Sequence, residues 1–390
     1  MLIMNENQKY FIELSRAAIE DDIPELPPIE IDWDYILKIS EKQNVSGLIS
    51  YAVLKLPQNA QPSGIEKWED AMLETFVVLT GTFIDFEDIC AALNDKGINL
   101  MCLKGGYVRE FYPSPELRTM GDIDLLVAEK DFEETCELFR SCGYTEYRQP
   151  LCSTFSNERM TTFEIFTSLE EEFHQFTEEM DNRIKTNSTH WKNNISIMSP
   201  TDMFAYSIIH TAKHFVHEGC GIRSILDAVL IYKNLHSEID LNEVRELCKM
   251  QGYEKILDYM LCAMSDYYDI SIENSFPESE NTEEFITYFI EDGVFGDRSD
   301  SGMFASHIIN HDGGKFMGLM RVFFPPISML KHKYTYLKKL PALLPAAWIH
   351  RFFVAVFCEK KSLSRMNKDL QKGLNAADTN RERLRSLNIK

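Results

Sequence analysis

"LKGGYVREFYPSPELRTMGDIDLLV", residues 103–127, decides how this chain is read. Its final "DIDLLV" alternates in the way of a strand, with Asp122 and Asp124 on one face and Ile123 and Leu125 on the other. Two carboxylates spaced like that stand about 6–7 Å apart along one edge. Like charges so placed repel and raise each other's pKa. A fold that keeps them has a cation to put between them, and hard divalent ions take such oxygens. The alternative for a D-x-D at the start of a strand is a solvated sheet edge.

Upstream, the apolar run "INLMCL" (residues 98–103) reads as a buried strand ending at Gly105-Gly106. Glycines between a strand and a helix let the backbone approach a phosphate, and the helix N-terminus behind them is electropositive. Lys104 and Arg118 have the charge to neutralise a triphosphate. The plain readings are a tight turn and two exposed cations; the order of the features makes the set more specific than its parts. A third carboxylate would complete a metal site. Glu164 is the candidate, a lone charge in "TTFEIF" within "RMTTFEIFTSL" (residues 159–169), whose Thr, Phe and Ile suit a third strand.

Working outward, residues 107–112 suit a short helix closed by Pro113 and Pro115, and "KDFEETCELFRSCGY" an amphipathic helix stopped by Gly143. Residues 1–90 show helical periodicity, and from Ser199 the pattern is helical to the end, broken at "EDGVFGDRSDSGM". The expectation is an α+β chain in three parts. A helical region covers residues 1–90, a small mixed β-sheet core 91–198 and a long helical region 199–390.

Charge and composition narrow the function. The 390 residues are 44% hydrophobic and 26% charged, an ordinary globular balance. A net charge of -21 argues against nucleic acid as the main partner, because such binding rewards clustered Lys and Arg. Nine scattered cysteines without a CxxC pair read as reduced thiols, and "MLIMNENQKYF" turns acidic too early for a secretory signal, so a cytoplasmic location is expected. "LPALLPAAWIHRFFVAVFC" (residues 340–358) holds two prolines and His350-Arg351, which disfavours a membrane span and favours a buried or interfacial helix.

In "SPTDMFAYSIIHTAKHFVHEG", Ser199 is the expected N-cap, with Pro200 in the first turn and Asp202 three residues after the cap. His210, His214 and His217 then share one helical face. A zinc hydrolase using His210, His214 and Asp227 is one reading, weakened by the absence of a Glu after the first His; packing histidines are another. Arg223 and Asp227, four apart, read as a helical ion pair, and "RVFFPPISMLKHKYTYLKKL" as core plus a basic surface strip.

Strand, Gly-Gly, short helix, D-x-D strand and third acidic strand resemble the DNA polymerase beta-like nucleotidyltransferase superfamily. More closely, the segment is similar to a largely uncharacterised family of bacterial nucleotidyltransferases with Leu-Lys-Gly, Tyr-Pro, Arg and Gly-Asp-Ile-Asp in this order. The likeness extends over residues 95–350, through "SIIHTAKHF" and "RSILDAVLIY". It implies that Asp122, Asp124 and Glu164 are catalytic carboxylates holding Mg2+, two ions by expectation. It also implies that Gly105 and Gly106 contact the phosphates of ATP or another NTP, joined by Lys104 and Arg118. His210, Lys213 and His214 would line the cleft and help bind phosphate or the acceptor. The segment "FYPSPELR" must loop out and return Arg118 to the site. The implied activity is transfer of a nucleoside monophosphate from NTP to an acceptor hydroxyl, small molecule or protein. The alternative is a nucleotide-binding or protein-interaction module without turnover, motivated by that loop and by Phe166 two residues after the third acid.

Overall fold

The computed structural model describes residues 2–148, 152–169, 178–217, 219–272, 281–292, 324, 327–330, 334–338, 340–353 and 381–389. The chain divides into two compact units, one formed by Met1–Ala212 and Gly221–Val294, the other by Lys213–Cys220 and Phe295–Lys390.

The first unit is built on a seven-stranded mixed sheet in the order β3-β4-β5-β2-β1-β7-β6. Its strands are β1 (Leu100–Cys102), β2 (Ile123–Val127), β3 (Thr145–Arg148), β4 (Cys152–Ser156), β5 (Thr162–Phe166), β6 (Thr189–Lys192) and β7 (Ile195–Ile197). The centre is β1 antiparallel to β2, with β2 parallel to β5 and β1 parallel to β7. Sequence periodicity located β1, β2 and β5 and passed over the other four. Strands β3 and β6 are edge strands rich in polar side chains, β3 mostly exposed and β6 exposed at two of its four residues, so no apolar alternation marks them. The α+β class holds, with more strands in the sheet than the sequence suggested.

Four helices precede the sheet: α1 (Glu6–Glu20), α2 (Trp33–Lys42), α3 (Ser46–Lys55) and the 30-residue α4 (Glu66–Asp95). Asn5 and Gln8 close α1 with a reciprocal capping box. Helix α4 is locked to the sheet by a buried carboxylate. Asp85 accepts hydrogen bonds from Thr161 Oγ1 (2.6 Å), Asn157 Nδ2 (2.7 Å) and Arg159 Nη1 (3.0 Å), all in the turn leading into β5. That turn sets the position of Glu164.

After β1 comes α5 (Gly105–Val108), a single turn continued by 3-10 turns at Arg109–Phe111 and Pro115–Leu117. The helix expected over 107–112 is thus shorter and starts at the diglycine. After β2, α6 (Phe132–Ser141) ends where foreseen. Gly143 takes φ +87°, and Tyr144 N–H returns to Phe139 O at 3.1 Å, the left-handed termination for which glycine has no Cβ penalty. The buried face of α6 packs on the sheet through Phe139, whose ring stacks on Phe155 at 4.7 Å and meets Phe163 edge-on at 5.1 Å. Phe163 and Ile165 fill this core, so Glu164 between them is turned to the other face.

Helix α7 (Glu178–Thr186) precedes β6, and α8 (Pro200–His217) follows β7. The cap read at Ser199 is present: Asp202 N–H donates to Ser199 Oγ at 3.3 Å, and Ser199 Oγ–H donates to Asp202 Oδ2 at 2.7 Å. Helices α9 (Arg223–Leu235), α10 (Leu241–Met250), α11 (Glu254–Tyr268) and α12 (Thr282–Asp292) complete the unit.

In the second unit, α13 (Ile327–Leu330) and α14 (Leu344–Phe353) are described. Leu330, Tyr334, Leu337 and Ala347 make a small core there, and Arg383 donates to Phe215 O while its guanidinium lies 4.1 Å from the Phe215 ring centroid. Among the described residues no helix is long and apolar enough to cross a membrane. Most of the break expected at "EDGVFGDRSDSGM", part of the aromatic-basic stretch 321–340 and the end of 340–358 lie outside the described residues.

Candidate active site

Three carboxylates converge at the C-terminal side of the β1 turn. Asp122 immediately precedes β2, Asp124 is its second residue, and the parallel register sets Asp124 directly beside Glu164 of β5. One oxygen from each of Asp122, Asp124 and Glu164 lies within 4.8 Å of the other two. That is closer than the strand repeat alone provides, because Asp122 stands at the strand entrance and the third acid comes from a neighbour. Asp124 is only 2% exposed, while Asp122 and Glu164 are half-buried. Thr154 Oγ1, cross-strand from Glu164 on β4, approaches Glu164 Oε1 at 3.5 Å.

The buried acid already has a positive neighbour. Lys104 Nζ lies 2.9 Å from Asp124 Oδ2 and 3.0 Å from His210 Nε2 on α8. An ammonium therefore stands against the buried carboxylate where a hard cation would find oxygen ligands. The donor set fits magnesium or manganese, since it is all oxygen, anionic and clustered. Among the described residues this is the sole group of three or more metal-ligating side chains at such distances. The zinc alternative loses its third ligand, because Asp227 is occupied elsewhere.

Asp227, on α9, accepts from Arg118 Nε (2.9 Å) and Nη2 (2.6 Å) and from Tyr112 Oη (2.8 Å). The helical ion pair expected between Arg223 and Asp227 is not formed. A bidentate fork from a different segment outcompetes an i,i+4 pair, because both its bonds are charge-assisted and shielded. Arg118 is 4% exposed; burial alone would push its guanidinium down, and the Asp227 carboxylate more than offsets this, holding it protonated. Burial, reinforced by Asp227, drives the Tyr112 hydroxyl well above its ordinary value.

The two glycines are required by close packing. A Cβ on Gly105 would sit 2.6 Å from Arg118 Nη1, and one on Gly106 would sit 2.6 Å from Cys102 Sγ with Phe86 behind it. The loop "FYPSPELR" thus leaves the diglycine, turns twice and brings Arg118 back beneath Gly105. Burial, then the nearby Asp124, pushes the Cys102 thiol up to about 12, so it is an inert packing group.

Lys104, Gly105, Arg118, Asp122 and His210 all line one cavity of about 90 Å³, which α8 and α9 close with Ser207, Thr211 and Arg223. Ser207, His210 and Thr211 share a helical face at i, i+3 and i+4, a spacing that was open to inspection around His210. Arg223 was legible only as an ion-pair partner. Lys213 and His214 follow His210 in sequence and fall in the segment Lys213–Cys220 of the second unit.

A family model described as an uncharacterised nucleotidyltransferase matches residues 30–269, more than half of the chain, including the whole sheet and all three carboxylates. No curated protein and no solved structure matches the chain.

Proposed function

The chain belongs to this family of uncharacterised nucleotidyltransferases, and from that premise we propose that it transfers a nucleoside monophosphate from an NTP to an acceptor hydroxyl. The observation that carries the reading is the clustering of Asp122, Asp124 and Glu164 within 4.8 Å beside the diglycine turn. Asp122 and Asp124 would hold both of two Mg2+ ions and Glu164 the second. When bound, the ions neutralise the triphosphate and ease deprotonation of the acceptor hydroxyl.

The chain's own groups do the rest. Glu164, half-buried and next to Asp124, accepts the acceptor's proton or orients the hydroxyl. The acceptor oxygen forms a new bond to the α-phosphorus, the bond to the bridging oxygen breaks, and pyrophosphate leaves with that electron pair. Lys104 and Arg118 receive the charge on the phosphate tail, with the Gly105-Gly106 backbone against it. His210 fixes the Lys104 ammonium in the cleft. Positioning and neutralisation dominate catalysis of phosphoryl transfer, and these residues supply both.

The test is incubation of the purified protein with each α-labelled NTP, Mg2+ and a cell extract, following pyrophosphate and labelled product. Asp122→Ala and Asp124→Ala should each abolish both. Near wild-type turnover in either variant would sink the proposal, and tight ATP binding with no labelled product would favour the non-catalytic module instead.

A further inference from the structure

Arg223 opens α9 and has no role in the reading above. Its Nη1 donates to Thr119 O (2.6 Å) and Thr119 Oγ1 (3.3 Å), both uncharged. The carboxylate one helical turn on, Asp227, faces Arg118 instead. Nε and Nη2 of Arg223 meet no acceptor among the described residues, and the side chain lines the cavity. Arg118 makes the same offer. Its Nε and Nη2 are taken by Asp227, while Nη1 lies under Gly105 on the cavity wall and meets no acceptor among the described residues.

Arg118 takes the Asp227 carboxylate, and the other acid that acts on Arg223 across the cavity, Asp122, belongs to the acidic cluster, so the half-buried Arg223 has no carboxylate hydrogen-bonded to it among the described residues. Burial and then the charge of Arg118 press the Arg223 guanidinium below its ordinary value, against the opposing pull of Asp227, Tyr112 and Asp122. Keeping such a cation unpaired is unfavourable unless an anion arrives to meet it. The cavity, at about 90 Å³, falls well below the roughly 300–1,000 Å³ that encloses a whole small ligand, so what it receives is compact. Planar guanidinium forks match phosphate oxygens two at a time, where an ammonium acts as a point charge.

We propose that Arg118 and Arg223 form a two-guanidinium subsite for the terminal phosphates of the nucleotide, the part that departs as pyrophosphate. Arg223 is then the residue that distinguishes a triphosphate from a monophosphate. This rests on the transferase reading only for the identity of the anion.

Calorimetry on the full chain with two probes, inorganic tripolyphosphate and AMP, tests it. Arg223→Met should weaken tripolyphosphate about tenfold or more and AMP less than about twofold, as expected for lost charge-assisted hydrogen bonds. Arg223→Lys, which keeps the charge and a donor for Thr119, should fall between and covers the case in which Arg223→Met fails to fold. Wild type that takes no tripolyphosphate, Arg223 variants that bind it as wild type does, or equal losses for both probes would overturn the subsite. Selective loss of tripolyphosphate in a protein that yields no product from any NTP would refute the transferase and support the subsite. Product formation with undiminished tripolyphosphate binding in the variants would refute the subsite alone.

Discussion

Replacing Asp227 by asparagine removes one negative charge and nothing in volume. In the native fold that carboxylate takes both forks of a guanidinium that is 4% exposed, plus the Tyr112 hydroxyl. An asparagine oxygen accepts one or two of these bonds, and its NH2 group turns a donor toward the remaining one. Arg118 is then left buried without a counter-charge, and Arg223 adds to the repulsion. Breaking a buried pair from one side costs about 3–5 kcal/mol. At the lower end, and at roughly 2 °C per kcal/mol for a unit of this size, Tm should drop by about 6 °C. Calorimetric or fluorescence melting of wild type and Asp227→Asn reads this directly. The double variant Arg118→Met/Asp227→Leu removes both charges and should recover most of the loss, since an apolar pair avoids the desolvation penalty. A Tm for Asp227→Asn within 2 °C of wild type, or a double variant no better than the single, would refute the reasoning.

Other outcomes follow from the same structure. Gly106→Ala would drive a methyl into Cys102 Sγ and Phe86 and should cost about 1–3 kcal/mol by denaturant titration, whereas Gly121→Ala, open on that side, should be near neutral. Mg2+ or Mn2+ should raise the Tm of wild type in a concentration-dependent way and leave Asp122→Asn unmoved; equal stabilisation of both would place the metal elsewhere. At alkaline pH, the raised tyrosines predict lost stability. Burial, then Asp85, lifts Tyr144 to about 12, and burial with Asp227 lifts Tyr112 further. Because the folded values exceed the unfolded ones, their contribution is intact below about pH 10 and is lost as pH rises through the folded values. Absorbance at 295 nm should show these tyrosines titrating only together with unfolding.

The division between local and tertiary information runs through particular residues. The alternation of Asp122 to Val127 put the aspartates on one face because side-chain direction in a strand is a property of neighbouring residues alone. The Ser199 cap and the Gly143 stop were legible for the same reason, since each closes its own hydrogen bonds within one turn. Glu164 was reachable as the one charge in an apolar run, but its place beside Asp124 depends on the parallel pairing of β2 with β5 and on Asp85 holding the preceding turn. The edge strands β3 and β6 are short and mostly polar, with one aromatic residue each, and so carry no periodic signal.

What sequence alone determined is the local arrangement: two acids one residue apart at the head of a strand, after a lysine and a diglycine, within a chain of α+β character. The fold decided the partners. Helical spacing nominated Arg223 for Asp227, yet Arg118, 109 positions away, makes that contact. It also set Lys104 between Asp124 and His210, residues distant from each other along the chain. Bond geometry and solvent exclusion, not sequence distance, determine which ionic contact is stronger. Both exist only after the sheet and the α8–α9 helices have closed on each other.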